Sequence, residues 1–290
     1  MRQADYVLVT SGPSNVDMGY SSGTPASGVG VGNAPAIIDG TADISEAVQK
    51  IVASKIFDYG TSCSSESALL IEAGIYDQVL EQLQAHGGYL VMGQDKAQLE
   101  ATIWKTCPEG RGNGRLNRAI VAKSPRVIAQ LANLNQPDAL NSKFLIVEEQ
   151  GIGKEYPFSG EKLSVVLAIY KYQHFDEALD IVHRILSYMG LGHSCGIHSE
   201  NQEHIERLAH STKVATVLVN QPHGHNNSGG FDNGLAFTLA MGSGTSGKTD
   251  NCENLTYKHF LNFTYLSRPI PPRIPSEEEL WGDYLARYGD

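Results

Sequence analysis

Positive charge is scarce in this sequence. Lys and Arg total 22 against 32 Asp and Glu, a formal net charge of −10, and the cations form no block. Such a chain lacks the electrostatic footprint that grips nucleic acid or an anionic membrane surface, so neither is expected as a partner. Long apolar runs are missing too. The longest strongly apolar stretch, Leu163 to Tyr170, falls far short of the ~20 residues that a membrane helix needs. Cysteine is limited to Cys63, Cys107, Cys195 and Cys252, far apart and without C-x-x-C spacing, which predicts reduced thiols rather than a disulfide framework. No apolar segment follows the opening Met1-Arg2-Gln3-Ala4-Asp5; no signal peptide is expected, and a cytoplasmic location is.

What is present is enough for a core. With 290 residues and 41% hydrophobic content, the chain suits one large or two ordinary domains. Strand-like runs at Tyr6–Val9, Ala36–Ile38, Tyr89–Met92, Phe144–Val147, Ser164–Tyr170 and Val214–Val219 alternate with helical patterns at Tyr76–His86, Asp95–Trp104, Pro125–Leu134, Asp176–Met189 and Gln202–His210. That alternation predicts an α/β fold built on a mainly parallel sheet. Asp43 is placed to cap a helix, with Glu46 three residues on closing a capping box, and Ala47, Val48, Ile51, Val52 and Ile56 recur at helical spacing. A strand-like Phe263–Leu266, a proline-rich stretch and a short amphipathic end with Trp281 complete the chain.

Three sequence features carry chemistry. Gly242-Ser-Gly-Thr-Ser-Gly-Lys-Thr249 satisfies the P-loop pattern G-x-x-x-x-G-K-[ST], in which backbone amides wrap phosphate and the lysine neutralises it. Its place near the end of the chain argues against it, because a P-loop opens its domain. The histidines of His193-Ser-Cys-Gly-Ile-His198 and His223-Gly-His225 are of metal-binding type but lack zinc-like spacing; they read as polar loop or strand-end histidines, and no metal is predicted. Cys63 lies in the small-residue turn Tyr59–Ser65, ahead of a helix-like Ser65–Ala73. A thiol before a helix N-terminus is pushed toward thiolate and would react with an alkylating agent ahead of the other cysteines. The plain alternative is a small side chain in a tight turn.

Several separated stretches, in order, resemble the acylating, CoA-dependent branch of the aldehyde dehydrogenase superfamily. Gly28-Val-Gly-Val-Gly-Asn-Ala-Pro-Ala-Ile-Ile-Asp39 is similar to its G-x-G-x-G-N-x-P segment and Phe57-Asp-Tyr-Gly-Thr-Ser-Cys-Ser-Ser-Glu66 to its nucleophile loop. Gly160-Glu-Lys-Leu-Ser-Val-Val-Leu167 resembles the glutamate segment that meets the nicotinamide ribose, and Gly190-Leu-Gly-His-Ser-Cys-Gly-Ile-His198 the GLGHT-like stretch. Phe231–Leu239, Asn254–Asn262 and Ser267–Ile270 continue the likeness.

The resemblance implies that Cys63 is the nucleophile. Its thiolate would add to an aldehyde, hydride would pass to NAD or NADP, and the thioester would be handed to coenzyme A. A small anionic aldehyde, of the sulfoacetaldehyde or succinate semialdehyde kind, is the implied substrate. Thr10, Gly12, Pro13 and Ser14, with Glu161, are the implied cofactor contacts. The implied layout is 1–38 as part of the cofactor-binding domain, 39–220 as the thiol domain, and 221–290 as a return to the cofactor domain with an oligomerisation strand, which makes a homo-oligomer expected. The family is longer at its N-terminus, so this chain corresponds to about its C-terminal three-fifths, and a non-catalytic remnant is the alternative reading.

The departures are local. The family usually has a Trp-Gly-Gly-Asn-like turn where Gly244–Thr249 stands, and Pro where Val165 stands. Hydrolytic members carry a general-base Glu at the position that alignment on Asn33-Ala34-Pro35 gives to Val29.

Overall fold

The structure, a computed structural model, describes residues 1–105 and 115–289, and the chain divides into two units, Met1–His259 and Phe260–Asp290. Cys107 lies outside the described residues.

The first unit opens with a small βαβ: β1 (Val7–Thr10), α1 (Pro13–Tyr20) and β2 (Ala26–Val29), the two strands parallel and adjacent. The chain then enters a seven-stranded sheet with β3 (Ala34–Ile38), followed by α2 (Ile44–Ile56), β4 (Glu66–Glu72), α3 (Tyr76–Ala85), β5 (Gly88–Leu90) and α4 (Gly93–Ile103). A minor antiparallel pair, β6 (Trp104–Lys105) and β7 (Arg115–Leu116), and two short helices, α5 (Pro125–Leu131) and α6 (Pro137–Asn141), come next. The remainder is β8 (Phe144–Glu148), β9 (Val166–Tyr172), α7 (Phe175–Tyr188), β10 (Gly192–His198), α8 (Gln202–Ser211), β11 (Val214–Val219) and α9 (His223–Asn226). The large sheet has the order β11-β10-β3-β4-β9-β8-β5 with every pairing parallel. The α/β expectation therefore holds, and the segment 1–38 contributes both the βαβ and a central strand of the sheet.

From β3 to β4 the sheet steps one way; from β9 to β10 it steps back across two strands. Right-handed crossovers in opposite directions put α2 and α7 on opposite faces. The central strands are covered on both sides, and Ile37, Leu69, Leu70, Ile146, Leu167 and Ile169 are fully buried.

Double coverage explains the main misreading. Ser65–Ala73 is not a helix but β4, buried along almost its whole length; a strand covered on both faces shows an unbroken apolar run that mimics a helical segment. Cys63 accordingly precedes a strand, and no helix dipole acts on it. The histidine stretch at 193–198 is likewise the interior strand β10, every residue of it buried. Asp43 caps α2 as expected, accepting from the Glu46 N–H at 2.9 Å, but the Glu46 carboxylate pairs with Lys50 at 2.7 Å.

The P-loop match does not form a P-loop. Between 242 and 249 there is one short 3-10 turn, Thr245–Gly247, with no strand before it or α-helix after it. Its amides are spent internally: Gly244 N–H on Asn251 O (2.9 Å), Gly247 N–H on Ser243 O (3.1 Å), Lys248 N–H on Thr245 O (3.0 Å) and Thr249 N–H on Gly244 O (2.9 Å). The turn packs on the start of β10, where a Cβ at Gly192 would sit 2.1 Å from Ser243 O.

The second unit carries α10 (Glu277–Tyr288), started by a reciprocal capping box between Ser276 and Glu279. Residues 263–266 pair with no strand among the described residues. No helix among the described residues is long and apolar enough to cross a membrane.

One buried charge ties the sheet to the loop before β9. Lys162 Nζ donates to Ser67 Oγ (2.8 Å), Phe158 O (2.6 Å) and Gly160 O (2.8 Å), using all three ammonium donors. Lys162→Met would take the lysine bond from all three acceptors, leaving Ser67 Oγ and Gly160 O only their bond to one another, at about 1–3 kcal/mol for each buried group left short of a partner. A lower urea midpoint with an unchanged slope is the expected outcome in denaturation curves followed by circular dichroism.

Candidate active site

Because β10, β3, β4 and β9 are parallel neighbours, the loops that enter them meet at one edge of the sheet. Gly30–Asn33 enters β3, Thr61–Ser65 enters β4, Gly160–Val165 enters β9, and Gly190–Leu191 enters β10. Cys63, Glu161 and His193 arrive together by this geometry.

Contact between the first two loops is backbone to backbone. A Cβ at Gly32 would lie 2.0 Å from Cys63 O, so only glycine admits the nucleophile loop here. The Gly32 N–H donates to Glu161 Oε1 at 3.0 Å. On the other side, Cys63 Sγ is 3.1 Å from His193 Nε2, His193 Nδ1 is 2.8 Å from Ser194 Oγ, and Ser194 Oγ is 3.0 Å from His223 Nε2. The His223 N–H donates to Glu66 Oε1 at 3.1 Å, and the second Glu66 oxygen accepts from the Ser54 hydroxyl. Ser64, next to the nucleophile, is held by Asn227 Nδ2 at 2.9 Å.

The electrostatics are those of a resting thiol. Cys63 keeps some access to solvent as a residue, yet its sulfur is largely enclosed. That enclosure, with the Glu161 carboxylate second, pushes the thiol up to about 12, while hydrogen bonds from the local backbone and Ser64 pull the other way. Burial lowers His193 to about 4 and raises Glu161 to about 7, the latter opposed by the Gly32 N–H and Lys162. The expected activation of Cys63 by a helix terminus is thus reversed, for want of a helix and for the presence of a carboxylate.

A sequence profile of the Aldehyde dehydrogenase family matches residues 26–104. Over all of its length the chain is 44% identical to the sulfoacetaldehyde dehydrogenase (acylating) of Cupriavidus necator, covering 57% of that protein. The chain is a homologue of the acylating aldehyde dehydrogenases. A succinate-semialdehyde dehydrogenase (acetylating) of Clostridium kluyveri is 34% identical over 97% of this chain and 60% of its own length. Among solved structures, an acetylating aldehyde dehydrogenase from Geobacillus thermoglucosidasius superposes with a TM-score of 0.84 at 37% identity, over 93% of this chain and 58% of that one. The chain spans about three-fifths of the length of the curated relatives it matches.

Of the residues that the sequence singled out, Cys63 and Glu161 meet at the sheet edge. Thr10, Gly12, Pro13 and Ser14 form the exposed turn from β1 into α1, whose start at Gly12 has no side-chain cap. That turn is joined to the site through the backbone: the Ser11 N–H reaches Val29 O at 3.4 Å, and Gly30–Gly32 runs on to Glu161. His193, Ser194, His223 and Glu66 were not expected as site residues. For His193 and Ser194 the signal was their place in the GLGHT-like stretch, and for Glu66 its place at the end of the nucleophile-loop match; for His223 no sequence pattern pointed to the site. Among the described residues no three His, Cys, Asp or Glu side chains gather as a metal site.

Exposure, not acidity, should govern thiol labelling in the free chain. Cys252 is exposed, Cys195 is buried and the Cys63 sulfur is shielded. Iodoacetamide mapping at pH 8 is expected to find Cys252 modified ahead of Cys63 and Cys195. Above pH 7, where Glu161 is ionised, Glu161→Gln should speed alkylation of Cys63, since the like charge opposing its thiolate is gone. No acceleration would show that burial alone sets the thiol.

Proposed function

We propose that the chain carries the thiol chemistry of a CoA-acylating aldehyde dehydrogenase: aldehyde, CoA and NAD(P)+ to acyl-CoA and NAD(P)H. The observation that carries this is the 3.1 Å contact between Cys63 Sγ and His193 Nε2, at the point where Glu161 also arrives. The 44% identity across the whole chain to a sulfoacetaldehyde dehydrogenase (acylating) supports it. A small anionic aldehyde, sulfoacetaldehyde or succinate semialdehyde, is the substrate class that the relatives' names favour.

The residues present fit the nicotinamide end of a dinucleotide. The exposed Thr10–Ser14 turn with its uncapped helix start offers an anion-tolerant cradle, and Glu161, held by the Gly32 N–H, offers an acceptor for a ribose hydroxyl. Bound there, NAD or NADP supplies a hydride acceptor and a positive ring. The positive charge matters because burial holds the Cys63 thiol up at about 12 and the His193 imidazole down at about 4, so in the resting site the proton stays on sulfur. With that opposition relieved, His193 Nε2 takes the thiol proton, and the thiolate adds to the aldehyde carbonyl. Loss of hydride leaves a thioester on Cys63. Once the first proton has passed from His193 to solvent, Nε2, still beside the sulfur, is placed to take the proton of the incoming CoA thiol and to return it to the Cys63 thiolate that departs.

Water is a poor rival acceptor. Val29, where hydrolytic relatives of the superfamily place a glutamate, is fully buried in a small apolar cluster with Ala240 and Leu255. Absence of a general base there costs ~10²–10⁴ in rate for water, whereas a thiol is partly ionised near neutrality and intrinsically more nucleophilic.

A homo-oligomer is proposed as well. β11 ends the sheet with one side unpaired among the described residues, and Phe263, Tyr265 and Leu266 are exposed; unpaired strand edges and exposed apolar residues favour association. Sedimentation velocity should show a species larger than the monomer, reduced by Tyr265→Asp.

The activity test measures NAD(P)H and acyl-CoA with sulfoacetaldehyde, succinate semialdehyde and propionaldehyde. It is run on this chain and on a fusion preceded by the N-terminal part of the Cupriavidus necator relative. Expected are CoA-dependent turnover and its loss in Cys63→Ala. Turnover surviving that substitution, or free acid formed equally fast without CoA, overturns the reading.

A further inference from the structure

The contacts behind His193 form a directed chain. Ser194 Oγ lies between two imidazole nitrogens, His193 Nδ1 at 2.8 Å and His223 Nε2 at 3.0 Å, and its hydroxyl has one proton to give. Both rings are buried, and so is Ser194. In one arrangement His193 donates from Nδ1 to Ser194 and Ser194 donates to His223 Nε2. In the other each bond is reversed and His193 Nε2 carries the proton that faces Cys63.

Two observations favour the first. Facing a neutral thiol, a bare Nε2 accepts the S–H proton, whereas an Nε2–H would have only a weak sulfur acceptor. The first arrangement also survives ionisation: when the S–H bond breaks and an Nε2–H bond forms, giving thiolate and imidazolium, the bonds from Nδ1 to Ser194 and from Ser194 to His223 stay as they were. The reversed arrangement has no lone pair at Nε2 and must reorganise both bonds first.

We propose that Ser194 and His223 are positioning residues that fix His193 as the tautomer protonated at Nδ1, so that Nε2 faces Cys63 ready to accept its proton. The inference rests on the role proposed for His193 above and extends it one layer inward. His223 is itself fixed from outside the chain of rings. Its N–H is held by Glu66, the Gly224 N–H donates to Ser54 Oγ at 2.5 Å, and Ser54 in turn bonds Glu66. The ring packs on β10 where Gly196 leaves room, a Cβ there lying 3.2 Å from His223 Nδ1. With Nε2 accepting from Ser194, neutral His223 carries its proton at Nδ1, which has no hydrogen-bond partner; this buried N–H is the cost that the first arrangement bears, and Ser194 is the partner through which the ring acts. The titratable groups around the two rings are Cys63, Glu66 and His198.

The test reads the tautomer directly. In the unmodified chain labelled with ¹⁵N-histidine, long-range proton–nitrogen correlation should show His193 with a protonated Nδ1 and an unprotonated Nε2 near neutral pH. Ser194→Ala and His223→Phe should each lose that bias and slow Cys63 alkylation above pH 8 about fivefold to tenfold, the loss of one hydrogen bond to a developing cation. Ser194→Thr, which keeps the hydroxyl, and His223→Gln, which keeps an acceptor near the Nε2 position, should restore both readouts. An Nε2-protonated His193 in the unmodified chain overturns the proposal without any variant. So does an Nδ1 tautomer unchanged in both Ser194→Ala and His223→Phe. Since neither readout needs substrate or cofactor, failure of the CoA assay would count against the proposed activity and leave the tautomer result standing.

Discussion

A carboxyl group in a dry interior has to be held from every side, and Glu66 is held that way. Its side chain takes the Ser54 hydroxyl from α2 and the His223 N–H from α9, while its own backbone carbonyl accepts Lys55 Nζ at 2.8 Å. Burial pushes the carboxyl up to about 7, against the pull of the Ser54 hydrogen bond, the local backbone and Lys55. Removing a partner of such a group typically costs several kcal/mol, because the remainder stays buried and unsatisfied. Since Glu66 begins β4 three residues after Cys63, that penalty guards the geometry of the nucleophile loop and of the histidine on α9 together.

The second constraint is the crowding at the opposite side of the loop. Gly32 presses on the Cys63 peptide while its N–H orients Glu161. A single residue without a side chain therefore brings the nucleophile loop and the carboxylate together, adding the Glu161 charge to the burial that already raises the thiol. The resting site is neutral and quiet, with the sulfur shielded, the histidine uncharged and the carboxylate nearby. Positive charge brought to such a site would favour the thiolate, and on the function proposed above that would couple nucleophile activation to ligand arrival.

Much of the scaffold was legible in the sequence because it follows simple periodicities. Asp43 announced α2, and Phe144–Val147 and Val214–Val219 announced strands that form. The misreadings fall where the site is. β4 is covered on both faces, so its Ala-Leu-Leu-Ile run gave no alternation to distinguish it from a helix. β10 spends interior positions on His193, Ser194, Gly196 and His198 instead of branched apolar residues, and a strand that carries chemistry in its core looks like a loop. Cys63 was singled out by the resemblance; the helix terminus expected to activate it is absent, because the segment that follows is β4. Resemblance offered Glu161 only as a cofactor contact, and it is the structure that brings it toward Cys63 through Gly32. His223 lay hidden because its role comes from a serine on another strand. The P-loop pattern shows the converse, since Gly242–Thr249 has the right letters while the amides of Gly244, Gly247, Lys248 and Thr249 are already committed to carbonyls of the turn and of Asn251.

The parallel sheet also bears on how the molecule reaches its working form. Cys63 and His193 are 130 residues apart in the chain, and β3 stands between β4, which follows Cys63, and β10, which contains His193. Their meeting requires β3 to have paired on both sides, β4 from the near crossover and β10 from the crossover of α7 over two strands. Pairings between residues so distant along the chain demand large loop closures before they return any stability, and they form slowly. The thiol and its histidine can therefore come together only late in folding, so a newly made chain carries no assembled nucleophile until its central sheet is complete.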